Sequence, residues 1–178
     1  VRSRLRRQGI YAPLASVQHH DAHAHTAACT RKRNPLIVTL DGYGDGECGR
    51  LAYQTARERT LHVPGDSLAL VYGAVTNLLG FCEGDEGKVM GLAAHGDPTV
   101  LRNKFQRLLT PGSCCIDLQD SAMRRLLMAA KREDVAAALQ EQTEKVALHW
   151  IRSVRRDETS LAVSGGLFAN VALNGKLQ

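Results

Sequence analysis

Two short apolar runs, each stopped by glycine, limit what this chain can become. "PLIVTLDG" (Pro35 to Gly42) is rich in β-branched residues and ends on an acidic glycine corner. "TSLAVSGG" (Thr159 to Gly166) ends on paired glycines. Apolar runs of this length, bounded by turn residues, read as buried strands. "LASVQ" (Leu14 to Gln18) is a weaker third candidate. Between them lie helical patterns. Asp66 and Ser67 can cap a helix carrying Leu68, Val71, Ala74, Val75, Leu78 and Leu79, with Gly80 as its stop. "GDPTVLRNKFQRLL" offers an Asp97 cap with Pro98 in the first turn. A long helix from about Glu133 to Arg155 places Val135, Ala138, Leu139, Gln142, Val146, His149, Trp150 and Ser153 along one stripe. Strand, glycine corner and helix, repeated, give an α/β fold.

The chain has 178 residues, 44% hydrophobic and 23% charged, which suits one domain with a real core. No apolar run is long enough to span a bilayer, and no signal peptide is visible. The first residue is Val1, and "LFANVALNGKLQ" is a helix-like pattern that stops at Gln178 without a capping signal. The sequence therefore reads as an internal piece, residues 1–178, of a longer catalytic domain. Five cysteines, an odd number without C-x-x-C spacing, argue against a disulfide framework or zinc knuckle and for a cytoplasmic protein. The net charge of +5 sits in clusters at Arg2–Arg7, Arg31–Arg33, Arg124–Arg125 and Arg155–Arg156. Such clusters could meet nucleic acid or phosphorylated small molecules. Solvated helix and loop surface is the default reading, and an aromatic content of 4% leaves little for single-strand stacking.

Four stretches can carry chemistry. "HHDAHAHTAA" holds four of the seven histidines. On a helix, His19 and His23 share a face one turn apart, good geometry for two imidazoles on one metal. Asp21 and His25 pair on another face. In "TLDGYGDGECG", Asp41 ends a strand and enters a loop with Gly42, Gly44, Gly46 and Gly49, which a simple tight turn would explain equally well. A carboxylate there lies where open α/β sheets bind ligands, and the glycines let backbone N–H groups approach phosphate. The full spacing and closing Glu of a calcium-binding EF-hand are absent. "EGDEGKVMGLAAHGDP" reads by default as a surface loop; Lys88 beside its glycines could hold a phosphate or carbonyl oxygen, but Walker A spacing is absent. In "AVSGGLFANVALNGK", Gly165 and Gly166 lead from a strand into a helix N-terminus, a nucleotide-friendly arrangement that close helix–strand packing would explain equally well. Asn170 and Asn174 lie four apart on that helix.

In this order, the four stretches resemble the O-carbamoyltransferase family of nodulation-factor and antibiotic-tailoring enzymes. "HHDAHAHTAA" is similar to its H-H-x-A-H-A segment and "LDGYGDGECG" to its D-G-x-G-D-G-x-x-G corner. "DSLALVYGAVTNLLGF" with "GDEGKVMGLAAHGDP" resembles its longest and most specific run, and "SGGLFANVALN" its G-G-V-F-A-N-V-x-L-N. The likeness implies an actin/hexokinase-like (ASKHA) ATPase-type fold. It also implies transfer of a carbamoyl group from carbamoyl-adenylate, made from carbamoyl phosphate and ATP by a second domain, to a hydroxyl of a small-molecule acceptor. His19, His23 and Asp41 would hold a divalent metal, iron(II) in the family. A further family aspartate would lie beyond Gln178, and a phosphate loop before Val1. Gly42 and Gly44 would cradle phosphate; Gly165, Gly166 and Asn170 would face the adenosine. Lys88 is a candidate for charge stabilisation, and His20 or His25 for the general base. His25 stands where the family has a small residue. Two other readings stand beside this one: a hydrogenase-maturation or tRNA threonylcarbamoyl-transferring relative with the same histidine pair, and a non-enzymatic RNA-binding module. No membrane partner is expected, and the acceptor is not readable.

Overall fold

The computed structural model describes residues 1–29, 34–53, 56–62, 67–114, 120–156 and 160–178. In chain order they form α1 (Arg2–Arg7), α2 (His19–Ala28), β1 (Leu36–Gly44), β2 (Glu47–Tyr53), β3 (Ala56–His62), α3 (Leu68–Leu78) and α4 (Glu86–Ala93). A 3-10 turn (Pro98–Val100), α5 (Arg102–Leu108), β4 (Leu109–Thr110), β5 (Ser113–Cys114) and α6 (Ser121–Ala129) follow. The long α7 (Arg132–Val154), β6 (Leu161–Ser164), a second 3-10 turn (Gly166–Ala169) and α8 (Val171–Gly175) complete the described elements. The α/β expectation holds.

The main sheet has the order β3-β2-β1-β6. β1 pairs antiparallel with β2 and parallel with β6, so β6 returns to the sheet by a crossover through the helices. Alternation along β1 divides its side chains between two layers. Leu36, Val38 and Leu40 enter the main core with Leu51, Leu61 and the inward faces of α3 and α7. Ile37 lies on the opposite face, in a small cluster with Ala27 of α2 and Ala162 of β6. α7 is buried along most of its length, and its Trp150 indole N–H donates to the Pro111 carbonyl at 2.9 Å.

Both anticipated strands form, although Thr159 and the Asp66 cap lie outside the described residues. Ser67 does cap α3, its Oγ accepting from the Leu70 N–H at 3.1 Å. Several expectations need correction. Residues 14–18 form no strand; Leu14 and Val17 are exposed, and their i, i+3 spacing offers no single strand face to bury. The "EGDEGKVMGL" loop is mostly helix, as α4. The Asp97 cap opens a 3-10 turn before α5 rather than one continuous helix. His149 and Ser153 of α7 face solvent, outside the buried stripe.

The acidic glycine corner is also not a loop. β1 continues through Gly44, and Asp45 and Gly46, at φ 53° and 87°, make a two-residue hairpin turn into β2. Likewise the glycine pair does not open a helix directly. Gly165 takes φ 107°, the 3-10 turn intervenes, and Asn170 caps α8 four residues on.

Gly165 is where β6 leaves the sheet. A Cβ there would stand 2.3 Å from the Leu40 carbonyl oxygen. Gly165→Ala should therefore destabilise the protein by at least about 2 kcal/mol in denaturant unfolding, combining left-handed strain with a backbone clash. Gly91→Ala, in α4 with open space around its Cβ position, should instead stabilise by roughly 0.5–1 kcal/mol. Equal effects at the two positions would contradict this assignment of the close approach.

Candidate metal centre and adjoining cleft

α2 crosses the face of the sheet opposite the main core. Its N-terminus carries no side-chain cap of its own. The hairpin tip supplies one instead: the His19 backbone N–H donates to Asp45 Oδ2 at 2.7 Å. This sets the first turn of α2 over the end of β1, where Asp41 projects on the α2 side.

Three side chains meet there. His19 Nε2 lies 3.0 Å and His23 Nε2 2.9 Å from the same oxygen, Asp41 Oδ2. The two nitrogens are 3.2 Å apart. Metal bonds to imidazole or carboxylate are about 2.0–2.2 Å long, so two donors at right angles on one ion lie about 3 Å apart. The three donors thus already have the mutual spacing of one face of a coordination shell. Two imidazoles and one carboxylate suit iron(II) or zinc. Among the described residues, these three are the group of His, Cys, Asp and Glu side chains able to hold a metal.

The surroundings are built for this geometry. Asp41 Oδ1 accepts the Gly42 N–H at 2.8 Å, which turns Oδ2 to the histidines. Burial pushes the Asp41 carboxyl up, but the Gly42 N–H and the two imidazoles together hold it below the usual carboxylate range. His23 Nδ1 lies 3.3 Å from the hydroxyl of Ser164, at the end of β6. A proton on Nδ1 donated to that hydroxyl leaves Nε2 free to ligate. Gly44 leaves room for the His19 ring; a Cβ would stand 2.2 Å from it.

The other anticipated residues divide. His20 is fully buried, with Nδ1 2.9 Å from Thr39 Oγ1 and Nε2 3.2 Å from the Glu47 carbonyl. Burial holds its pKa below the ordinary histidine value. Both nitrogens are engaged, so the structure does not bring it to the site as a base. His25 is exposed on another face of α2, its Nδ1 2.6 Å from the Asp21 carbonyl. Lys88 is exposed on α4 and pairs with Asp85 at 2.8 Å. Neither belongs to the cluster.

A cleft of about 870 Å³ opens beside Asp41, between the β1 corner, α3, α4 and the turn after β6. Gly42, Gly166 and Asn170 line it, three of the five positions expected to hold nucleotide; Gly44 and Gly165 instead serve close packing. Glu86 and Met90 of α4 form part of the opposite wall. Asn170 is held by a reciprocal amide pair with Gln140, at 3.0 and 2.8 Å. Sequence reasoning missed Asp45, Ser164 and Glu86. The serine had one legible signal, its place directly before the glycine pair.

Residues 3–178 match the family model described as carbamoyltransferase N-terminus. The chain is 34% identical to nodulation protein NolNO of Sinorhizobium fredii, over 92% of this chain and 27% of that protein. It is 33% identical to nodulation protein NolO of Bradyrhizobium diazoefficiens, over 90% of this chain and 33% of that protein. The chain thus spans about a third or less of the length of these relatives.

Gly44→Ala should drive the His19 ring off Asp41 while leaving the strand intact, since Gly44 is not at positive φ. Metal affinity, read by isothermal titration, should fall at least about tenfold with an unchanged far-ultraviolet circular dichroism spectrum. Wild-type affinity in that variant would show that His19 is not held as described.

Proposed function

We propose that this chain, which belongs to the carbamoyltransferase N-terminus family, forms the metal- and nucleotide-binding part of an O-carbamoyltransferase. The observation that carries the reading is the convergence of His19 and His23 on Asp41, which itself lines a cleft large enough for a nucleoside. In this reading the cleft takes the adenosine of carbamoyl-adenylate, itself formed from carbamoyl phosphate and ATP. Gly166 and Asn170 face the nucleoside, and Gly42 admits the phosphate near Asp41. The metal, iron(II) or zinc by donor set, would polarise the carbamoyl carbonyl or hold the phosphate as a Lewis acid.

The chemistry balances simply. An acceptor hydroxyl oxygen bonds to the carbamoyl carbon, the bond from that carbon to the phosphate oxygen breaks, AMP leaves and the hydroxyl proton goes to a base. His19 and His23 serve as ligands rather than as that base. The acceptor is a small molecule bearing a hydroxyl, reached from the open side of the cleft. The actin/hexokinase-like fold is part of the same proposal; a meander of β1 to β3 extended by the parallel strand β6 is compatible with it. The likeness to nodulation proteins supports this reading over a hydrogenase-maturation or tRNA-modifying relative. For an RNA-binding module the best support is the exposed arginines of α1. Arg156, from another basic cluster, is instead occupied with Glu58 and the Tyr53 ring. Arg31–Arg33 lie outside the described residues. Among the described residues, no helix is long and apolar enough to cross a membrane.

The test is the double variant His19→Ala/His23→Ala in the intact protein. It should lose bound metal, with at least about 100-fold weaker affinity, and lose carbamoyl-phosphate-dependent AMP release. Wild-type turnover in that variant would sink the assignment.

A further inference from the structure

α2 carries the histidine pair but has little apolar hold on the protein. Its buried residues are His20 and Ala27. The small cluster of Ala27, Ile37 and Ala162 fixes its height above the sheet. Alanines do not fix its rotation, because short symmetric side chains pack almost equally well after a small turn of the helix. Rotation matters greatly here. A turn of about 10° moves an atom roughly 6 Å from the helix axis by about 1 Å, whereas ligand distances are met to within about 0.2 Å.

A polar row across the sheet supplies the missing constraint. Arg50 of β2, Thr39 of β1 and Ser164 of β6 are register neighbours, and each directs its polar group at α2. Ser164 meets His23 and Thr39 meets His20, two histidines three apart and so on one helix face. With the His20 imidazole neutral, the donor logic around Thr39 admits one solution. The Glu47 carbonyl can only accept, so His20 Nε2 carries its proton and Nδ1 is bare. The Thr39 hydroxyl therefore donates to His20 Nδ1 at 2.9 Å while accepting the Arg50 backbone N–H at 3.1 Å. Arg50, 4% exposed, then extends its guanidinium to Glu47 within its own strand and to both Asp21 and Gln18 at the start of α2. Every one of these bonds is directional.

We propose that Thr39, backed by Arg50, is a positioning residue of the metal centre, setting the rotation of α2 that aims His19 and His23 at Asp41. The proposal rests on the metal reading above. Thr39 touches neither ligand; it acts through His20, the residue next to His19.

The test is Co(II) binding by the intact protein, read by titration and by ligand-field absorption at saturating metal. Thr39→Val keeps the shape and removes the hydroxyl. It should weaken Co(II) binding about 10- to 100-fold and alter the absorption bands. Thr39→Ser should restore both to near wild type. A second variant, Asp21→Asn, acts at the half-exposed end of the network, where folding is at little risk. It should weaken binding at least about fivefold. A Thr39→Val protein with wild-type affinity and spectrum overturns the proposal, whatever its melting temperature. If Thr39→Val does not fold, wild-type binding by Asp21→Asn overturns it. Failure of the wild type itself to bind Co(II), matching His19→Ala/His23→Ala, overturns the metal reading beneath it instead.

Discussion

The α2-facing side of β1 changes character residue by residue, and the rest of the site depends on that change. Ile37 is apolar and sits under Ala27. Thr39 is a buried hydroxyl and sits under His20. Asp41 is a carboxylate near the strand's carboxyl end and sits under His19 and His23. The period of two in the strand sends Leu36, Val38 and Leu40 to the main core at the same time. One strand thereby anchors the hydrophobic core on one face and presents graded polarity on the other. α2 reads that gradient end to end, with its alanines over the apolar part and His19 and His23 over the acid.

Glycine is required wherever another element must approach Asp41. Gly44 yields space to the His19 ring, and Gly165 lies against the Leu40 backbone. At Gly166 a Cβ would stand 2.9 Å from Asp41 Oδ1. These glycines come from the hairpin of β1 and β2 and from the exit of β6, far apart in sequence. They converge because β1 and β6 are parallel neighbours whose carboxyl ends open on one side of the sheet, the side where α/β folds bind ligands. Gly42 and Gly166 serve the cleft as well, leaving backbone rather than side chain beside the acid.

The sequence was legible where pattern and packing agree. β1 and β6 show as apolar runs, α3 and α7 as helical stripes, and the i, i+4 spacing of His19 and His23 is enough to pair them on one helix face. Asp41 was expected to end β1; it lies toward the carboxyl end, but the strand runs on through Gly44. Elsewhere local chemistry concealed the outcome. β2 contains Glu47 and Arg50 as buried residues, so the run "ECGRLAY" lacks the apolar signature of a buried strand. The glycines of "DGYGDG" suggest a loop, but only Asp45 and Gly46 turn; Gly44 is a strand glycine needed for the close approach of His19, and Gly42 is a strand glycine that lines the cleft. His20 looks like its neighbours in sequence. Its burial and locked tautomer come from Thr39 and Glu47, 19 and 27 residues away, and no local pattern announces them.

The buried Arg50 network raises the question of why a chain would fix this helix with charges. Desolvating a guanidinium and its carboxylates is costly, and apolar residues of similar volume are often at least as stabilising. Burial alone would lower the Arg50 pKa; the Glu47 and Asp21 carboxylates hold it above its ordinary value, so the charge is kept. What the network adds is direction. Apolar packing fixes how near a helix lies but tolerates small rotations, while hydrogen bonds weaken steeply once misaligned. For a helix that only fills a core, that precision would be wasted. For a helix that holds two imidazole nitrogens, one turn apart, about 3 Å from one carboxylate oxygen, it matters more than the stability forgone.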